Sequence, residues 1–205
     1  MDWIDGFHLK EFLDINPTQE ARNQLGQALW DFYDFQMHTL KKVHADPHPG
    51  NFLFTKDGRL GIIDFGCVKV IPEDYYERYF SLMNSDTLLD EEATMKIFWE
   101  LEFLLKEDSP ELQVFFADLF KKMIRLLGRP FNTDVFDFGQ EGYVDEIYSF
   151  MEYVSKLPEL RKASSARGSQ HGLYVNRTYF GLYTILNDLK AVVNITKPEW
   201  LRAKK

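Results

Sequence analysis

The chain reads as a mainly helical fold with one small β hairpin. Two observations predict this. The first is a pair of short apolar runs, Phe52-Leu53-Phe54 and Leu60-Gly61-Ile62-Ile63, split by Asp57-Gly58. Asp-Gly between apolar runs is the strongest short hairpin signal. The second is a series of segments in which apolar residues recur at helical spacing, several of them opened by a recognisable cap.

Taken in order, Met1 to Gly6 is a short entering segment that ends in Gly, and His8 to Asp14 fits a short helix. Asn16-Pro17-Thr18 is a helix start with Thr18 as the cap. From there Ala21, Leu25, Leu29, Phe32, Phe35 or Gln36, and Leu40 recur at helical spacing, and this helix delivers the chain to His44. His38, near its end, is expected at the surface or at the helix C-terminus, where the dipole favours a cation. After Gly66 the pattern turns helical. Glu73 to Asn84 reads as one helix with Asp74, Glu77 and Arg78 outward. Asp90 to Lys106 reads as a second, its apolar face made by Ala93, Ile97, Leu101, Leu104 and Leu105. Ser109-Pro110-Glu111 supplies a cap, a Pro at the first position and an acid in the first turn, and the helix it opens runs to Gly128. Arg129 to Gly139 reads as loop. Glu141 to Lys156 and a long segment from Leu173 to Val193 complete the helices. The Ser/Arg-rich link between them, Lys162 to Ser169, reads as solvated, with phosphate or lipid headgroups as the alternative contacts of Arg161, Lys162 and Arg167.

The chemistry gathers between His44 and Gly66. His44-Ala45-Asp46 is an H-x-D, Asn51 follows the Asp by five residues, and Asp64-Phe65-Gly66 closes the hairpin. A phosphoryl-transfer site needs a carboxylate to orient or deprotonate the attacking hydroxyl, and oxygen ligands that hold a divalent metal against the phosphates. In a kinase catalytic loop these tasks fall to the Asp, to the Asn five residues on, and to the D-F-G Asp. Here they are Asp46, Asn51 and Asp64. The hairpin returns Asn51 and Asp64 to neighbouring strand ends, and two oxygen donors there suit a hard ion such as Mg²⁺. His44, Asp46 and His48 also have H-x-D-x-H spacing, so a transition-metal site is an alternative use of the loop. Pro47 and Pro49 stiffen that loop and speak against it.

His-Ala-Asp-Pro-His-Pro-Gly-Asn followed by Ile-Asp-Phe-Gly resembles the UbiB-type atypical kinase-like family, associated with ubiquinone biosynthesis. Met1-Asp2-Trp3-Ile4-Asp5-Gly6 resembles the hinge of that family, and Asn176-Arg177-Thr178 with Gly181-Leu182-Tyr183 is similar to its C-terminal region. The resemblance implies the C-terminal lobe of a kinase-like fold: a hinge-like segment at 1–6, the catalytic loop and D-F-G at 44–66, and a helical tail at 73–205. It implies ATP and Mg²⁺ as cofactors, Asp46 as the catalytic carboxylate, Asn51 and Asp64 as metal ligands, His48 near the phosphates, and Leu53 as the floor of the adenine pocket. His44 is then structural, its ring bonded to backbone near Asp64. Ala45 stands where ordinary protein kinases carry the Arg that answers a phosphorylated activation loop, so switching by that route is not expected.

Composition agrees with a globular domain. The 205 residues are 45% apolar and 27% charged, with 18 Phe for an aromatic core. The net charge of −8 argues against nucleic acid as a partner. The single cysteine, Cys67, excludes an internal disulfide and is expected to be buried or half-buried. No signal peptide is evident and no apolar run reaches membrane-spanning length, so the expected location is cytoplasmic, with at most peripheral membrane contact.

A Gly-rich phosphate cover and a strand Lys paired to a helix Glu precede the catalytic loop in a kinase fold. Here the preceding glycines are Gly6 and Gly26, far apart, and the lysines are Lys10, Lys41 and Lys42. The family's Lys-x-Gly-Gln segment is also not found. The expectation is a lobe without its N-terminal lobe, incompetent alone, whose Trp3, Ile4, Leu53 and Phe54 lack part of their cover. Such a chain is expected to bind nucleotide weakly and to seek a separately encoded N-lobe or self-associate. Two other readings stay open: a small-molecule phosphotransferase of the aminoglycoside or choline kinase type, and a non-catalytic interaction module derived from the lobe.

Overall fold

The computed structural model describes residues 3–162 and 167–196. These residues fall into two units. One comprises the chain up to Ile71 with 134–144 and 174–196; the other comprises 72–133 and 145–173. The second is mostly helical, and the first combines helices with short antiparallel strand pairs. Among the described residues no helix is long and apolar enough to cross a membrane.

In the first unit, α1 spans Leu9–Asp14 and buries Leu9 and Phe12. Thr18 caps α2 (Gln19–Asp34), its hydroxyl accepting from Ala21 N at 3.2 Å. The buried stripe of α2 is Leu25, Gly26, Leu29, Trp30 and Tyr33. It continues through Met37 in a π-helical turn, Phe35–Leu40. This corrects the end of the predicted face: Phe35 and Leu40 are about half exposed, and Trp30, Tyr33 and Met37 do the packing. Periods of three and four from Leu25 fit both sets, and burial of Trp30 decides between them. His38 lies in the last turn of this segment, one of its two expected places, but not at the surface. Its side chain is only 5% exposed, and Nε2 lies 3.2 Å from the Tyr179 hydroxyl.

Lys41, in the left-handed region at φ 50°, ends the π-turn. β1 (Lys42–His44) follows, then β2 (Phe52–Phe54) and β3 (Leu60–Ile62). β2 and β3 form the predicted hairpin, with Phe52 opposite Ile62. Gly58 takes φ +78° in its turn, where Thr55 N donates to Arg59 O at 3.1 Å. β4 (Val68–Val70) pairs with β1, and β5 (Val135–Asp137) with β6 (Val192–Asn194). One hairpin therefore becomes three two-stranded sheets. β4 lies where only helix was expected after Gly66, β5 inside the predicted loop 129–139, and β6 at the predicted end of the last helix. Strands of three residues carry too little period to be read locally.

The second unit holds α3 (Glu73–Ser81), α4 (Ser85–Leu89), α5 (Glu91–Glu100) and α6 (Pro110–Gly128). Ser109 caps α6 with Pro110 at its first position, as its sequence dictates. α5 stops early. Glu102 at φ 58° turns the chain, so Leu101, Phe103 and Leu104 pack inward from a turn rather than from a continued helix. Phe103 stacks on Phe120 at 4.3 Å, and Phe98 meets both rings edge-on. α7 (Tyr143–Lys156) leaves the first unit at Val144, and α8 (Pro158–Lys162) follows it. α9 (Gln170–Leu189) re-enters the first unit at Tyr174. Of the predicted link, 163–166 and the side chains of Arg161 and Lys162 lie outside the described residues. Arg167 contradicts the solvated reading: its side chain is 6% exposed and pairs with Asp108.

Candidate functional site

The loop that begins at His44 is held through its own backbone from two directions. Gln36 Oε1, on the π-turn, accepts from His44 N at 2.7 Å. Ala45 N donates to Cys67 O at 2.8 Å, which extends the β1–β4 ladder into the loop. Pro49–Asn51 forms a 3₁₀ turn with Pro at its start. His44 is buried, and its Nε2 lies 2.7 Å from Asp64 O, tying the loop to the D-F-G as the kinase-like pattern implies. Asp46 N approaches Nδ1 at 3.4 Å, so Nδ1 accepts and Nε2–H donates.

Asn51 Nδ2 donates to Asp46 O at 2.9 Å and to Asp46 Oδ2 at 3.3 Å. With its amine on Asp46, the carbonyl oxygen of Asn51 is the atom left for a ligand. Ile63 N donates to Asn51 O at 3.1 Å, so Asn51 and Asp64 stand at adjoining strand ends. Asp64 is exposed, and Gly66 N donates to its Oδ1 at 2.7 Å. Oδ2 remains. One amide oxygen and one carboxylate oxygen fit a hard divalent ion that completes its shell with phosphate and water. Among the described residues no group of three or more His, Cys, Asp or Glu is placed to hold a metal ion. The H-x-D-x-H alternative thus has no cluster behind it.

His48 is exposed, and its Nδ1 accepts from Gly50 N at 3.0 Å, which aims the ring from the 3₁₀ turn and leaves Nε2 outward. Leu53 is half-buried and faces the entering segment, where a Cβ on Gly6 would sit 3.0 Å from Leu53 Cβ. That segment pairs with the hairpin through Phe7 and Phe54, Phe7 N donating to Phe54 O at 3.0 Å. Met1 and Asp2 of the hinge-like motif lie outside the described residues. Trp3 is 93% exposed, as expected of an uncovered residue, but Phe54 is fully buried. Phe12 of α1 stacks on Phe54 at 5.6 Å and supplies its cover. A cavity of about 340 Å³ lined by Trp3, Ile4, Thr55, Arg59 and Leu60 lies at the turn end of the hairpin, opposite the Asn51–Asp64 end.

A further residue joins the site from far along the chain. Arg177 of α9 donates from Nη2 to Asp46 Oδ1 at 2.6 Å. Gly181, one turn on, admits this approach: a Cβ there would meet Pro47 Cγ at 2.3 Å. The loop motif does not mark Arg177, although it lies in the Asn176-Arg177-Thr178 stretch that resembles the family's C-terminal region. Composition is a second signal, because Arg177 is the only Lys, Arg, Asp or Glu between Arg167 and Asp188. Beneath the loop, burial above all and the Asp46 charge second push the Tyr33 hydroxyl up, well beyond the usual tyrosine range. Burial, then Asp31, raises Asp34 to about 6. Burial, then Lys41, lowers His38 to about 3, so that its imidazole is neutral.

Comparison with known proteins agrees with the motif. Residues 1–98 match the ABC1 atypical kinase-like domain. "Protein ACTIVITY OF BC1 COMPLEX KINASE 3, chloroplastic" of Arabidopsis thaliana is 33% identical over 117 residues, which are 56% of this chain and 16% of the relative. "Atypical kinase COQ8, mitochondrial" of Saccharomyces cerevisiae is 26% identical over 134 residues, 63% of this chain and 26% of the relative. The chain thus spans 16% and 26% of the length of these two relatives. Among solved structures, the Mycobacterium tuberculosis Rv3197–erythromycin complex aligns with a TM-score of 0.64 at 21% identity, over 94% of this chain and 46% of that one. The helical fold is therefore shared with that protein. Residues 1–98, which hold Asp46, Asn51 and Asp64, thus carry the likeness to the ABC1 atypical kinase-like family.

Proposed function

We propose that the chain carries the catalytic-loop half of a Mg-ATP-dependent kinase or ATPase. Asp46 orients and deprotonates the hydroxyl that attacks the γ-phosphoryl group, Asn51 and Asp64 are the metal ligands, His48 faces the phosphates, and Leu53 floors the adenine. When bound, Mg²⁺ neutralises charge on the phosphate oxygens. The observation that carries this reading is the Asn51 amine on Asp46. That bond fixes the carboxylate and turns the amide oxygen outward at once. The architecture corresponds in this reading to a kinase C-terminal lobe, and the phosphate cover comes from residues outside these 205. That cover, or a second copy of the chain, is the proposed partner for the exposed Trp3. The link to quinone or isoprenoid-lipid metabolism, and a peripheral contact with membrane, belong to the same proposal and rest on the UbiB resemblance. A phosphotransferase of the aminoglycoside or choline kinase type shares the H-x-D, Asn and Asp layout; Asp46-Pro47 and the long helical tail favour the UbiB-like reading.

Calorimetry tests it. Two protein ligands are too few for Mg²⁺ alone, so the bare protein is expected to bind no Mg²⁺ measurably and to bind Mg-ATP weakly, with that binding lost in Asp64→Asn. ATP turnover by the chain alone is expected at background, since half of the positioning groups are missing. Micromolar Mg²⁺ affinity without nucleotide, or Mg-ATP binding indifferent to Asp64→Asn, overturns the reading. Unchanged Mg-ATP binding by a chain that shows no turnover with any cover supplied would favour the non-catalytic interaction module.

A further inference from the structure

We propose that Arg177 and Lys69 form an anion subsite beside Asp46 that receives a phosphate-bearing group. Both cations come from elements that flank the catalytic loop. Arg177 reaches Asp46 from α9, and its side chain stays 57% exposed while paired. A guanidinium has five N–H donors in a planar fork. The bond to Asp46 occupies one of them, and no other hydrogen bond of Arg177 is found among the described residues. Lys69 sits on β4 opposite Val43, one residue before His44. Its ammonium lies 4.9 Å from the centre of the Tyr174 ring. Tyr174 and Arg177 are three residues apart on α9 and so share a face. The ring thus draws Lys69 toward the helix face that carries Arg177.

The placement answers an electrostatic difficulty. A carboxylate that must stand close to a phosphoryl group repels it. A fork-shaped cation that holds one carboxylate oxygen and keeps donors in solvent removes that repulsion and matches phosphate geometry. The close seat of Gly181 on Pro47 fixes the helix that presents it. This inference rests on the kinase-like reading only in taking Asp46 as the carboxylate that faces the transferred group.

The test uses inorganic phosphate and Mg-ATP as separate probes, titrated into the full chain and followed by the Arg177 guanidinium resonance and by calorimetry. Arg177→Gln is expected to weaken phosphate binding by at least about threefold, and Asp46→Asn to strengthen it by a similar factor by releasing Arg177. Asp46→Asn with Arg177→Gln is expected to lose that gain. Lys69→Gln adds a smaller loss. A residue with a merely structural role would move Asp46→Asn and Arg177→Gln in the same direction, so the opposite signs are the signature. Arg177→Lys keeps the charge without the fork, is expected to fall between, and serves if the Gln variant unfolds. Phosphate binding that is absent, or equal in wild type and both Arg177 variants, overturns the subsite. Phosphate binding with these signs, but Mg-ATP no tighter than phosphate and indifferent to Asp64→Asn, sustains the subsite while removing the nucleotide reading.

Discussion

Replacing Arg167 by Met isolates the second unit's strongest polar contact. Arg167 binds Asp108 through both terminal nitrogens, Nη1 to Oδ2 at 2.7 Å and Nη2 to Oδ1. Nη1 also reaches Phe103 O at 3.3 Å, and the guanidinium lies 3.5 Å from the centre of the Phe116 ring. The two side chains are 6% and 3% exposed. Methionine keeps much of the apolar volume and leaves the carboxylate with Leu105 N as its hydrogen-bond donor, at 2.8 Å. Removing one partner of a buried pair costs about 3–5 kcal/mol, a large part of a folding free energy of roughly 5–15 kcal/mol. Asp108→Asn in the same chain keeps an acceptor for Leu105 N and removes the stranded charge, so the double variant is expected to be more stable than Arg167→Met alone. Urea unfolding at neutral pH measures both. The pH dependence has a definite sign. The Arg167 hydrogen bond, partly offset by burial, holds the Asp108 carboxyl below its ordinary value of 3.8. Its contribution is therefore complete above that value and is lost as pH falls through the depressed folded value. The gap between wild type and Arg167→Met should narrow in strong acid. A loss below about 1 kcal/mol at neutral pH, the range of screened surface pairs, would refute the treatment of this pair as buried.

Asp34, whose carboxyl is raised to about 6 by burial and Asp31, is a liability wherever it is ionised; its folded value lies above its unfolded value, so the cost grows as pH rises from about 4 to 6. Asp34→Asn is expected to raise the melting temperature at pH 7, by about 1–2 kcal/mol in stability, with the gain shrinking toward pH 4. Gly58→Ala must place a Cβ at φ +78° and against the Gln24 amide; a loss of about 1 kcal/mol or more in thermal unfolding is expected. Gly181→Ala drives a methyl into Pro47. It should cost about 1–3 kcal/mol and, by lifting α9, weaken phosphate binding as Arg177→Gln does.

What could be read locally was read. Thr18 and Ser109 announce their helices because a cap and the N–H that donates to it are three residues apart. Asp57-Gly58 announces the hairpin because turn chemistry lies within the turn. His44 on Asp64 O follows from a loop and hairpin of fixed length. The failures share one cause: the deciding partner is distant in sequence. Lys42 pairs with Val70, and Val135 with Asn194, so three-residue strands had no local period to show. Arg167 looked solvated in a Ser/Arg-rich link until Asp108, 59 positions away, claimed it. Phe54 looked uncovered until Phe12 of α1 stacked on it.

Arg177 is the case with the largest consequence for function. It lies 131 positions from Asp46 and beyond residue 98, where the family match ends. The matched segment thus holds Asp46, Asn51 and Asp64 but not the cation on Asp46. Helix α9 serves two ends with one face: Gly181 lets it sit against Pro47, and Arg177, one turn earlier, reaches the oxygen that Asn51 leaves open. With Arg177 on one oxygen and Asn51 on the other, Asp46 cannot rotate without breaking a charge-assisted bond. If Asp46 is the base of the proposed reaction, that fixed direction is what positioning requires of it. The same geometry gives Arg177 its countercharge: Asp46 takes one side of the guanidinium, and the exposed side is where the proposed phosphate-bearing group would bind.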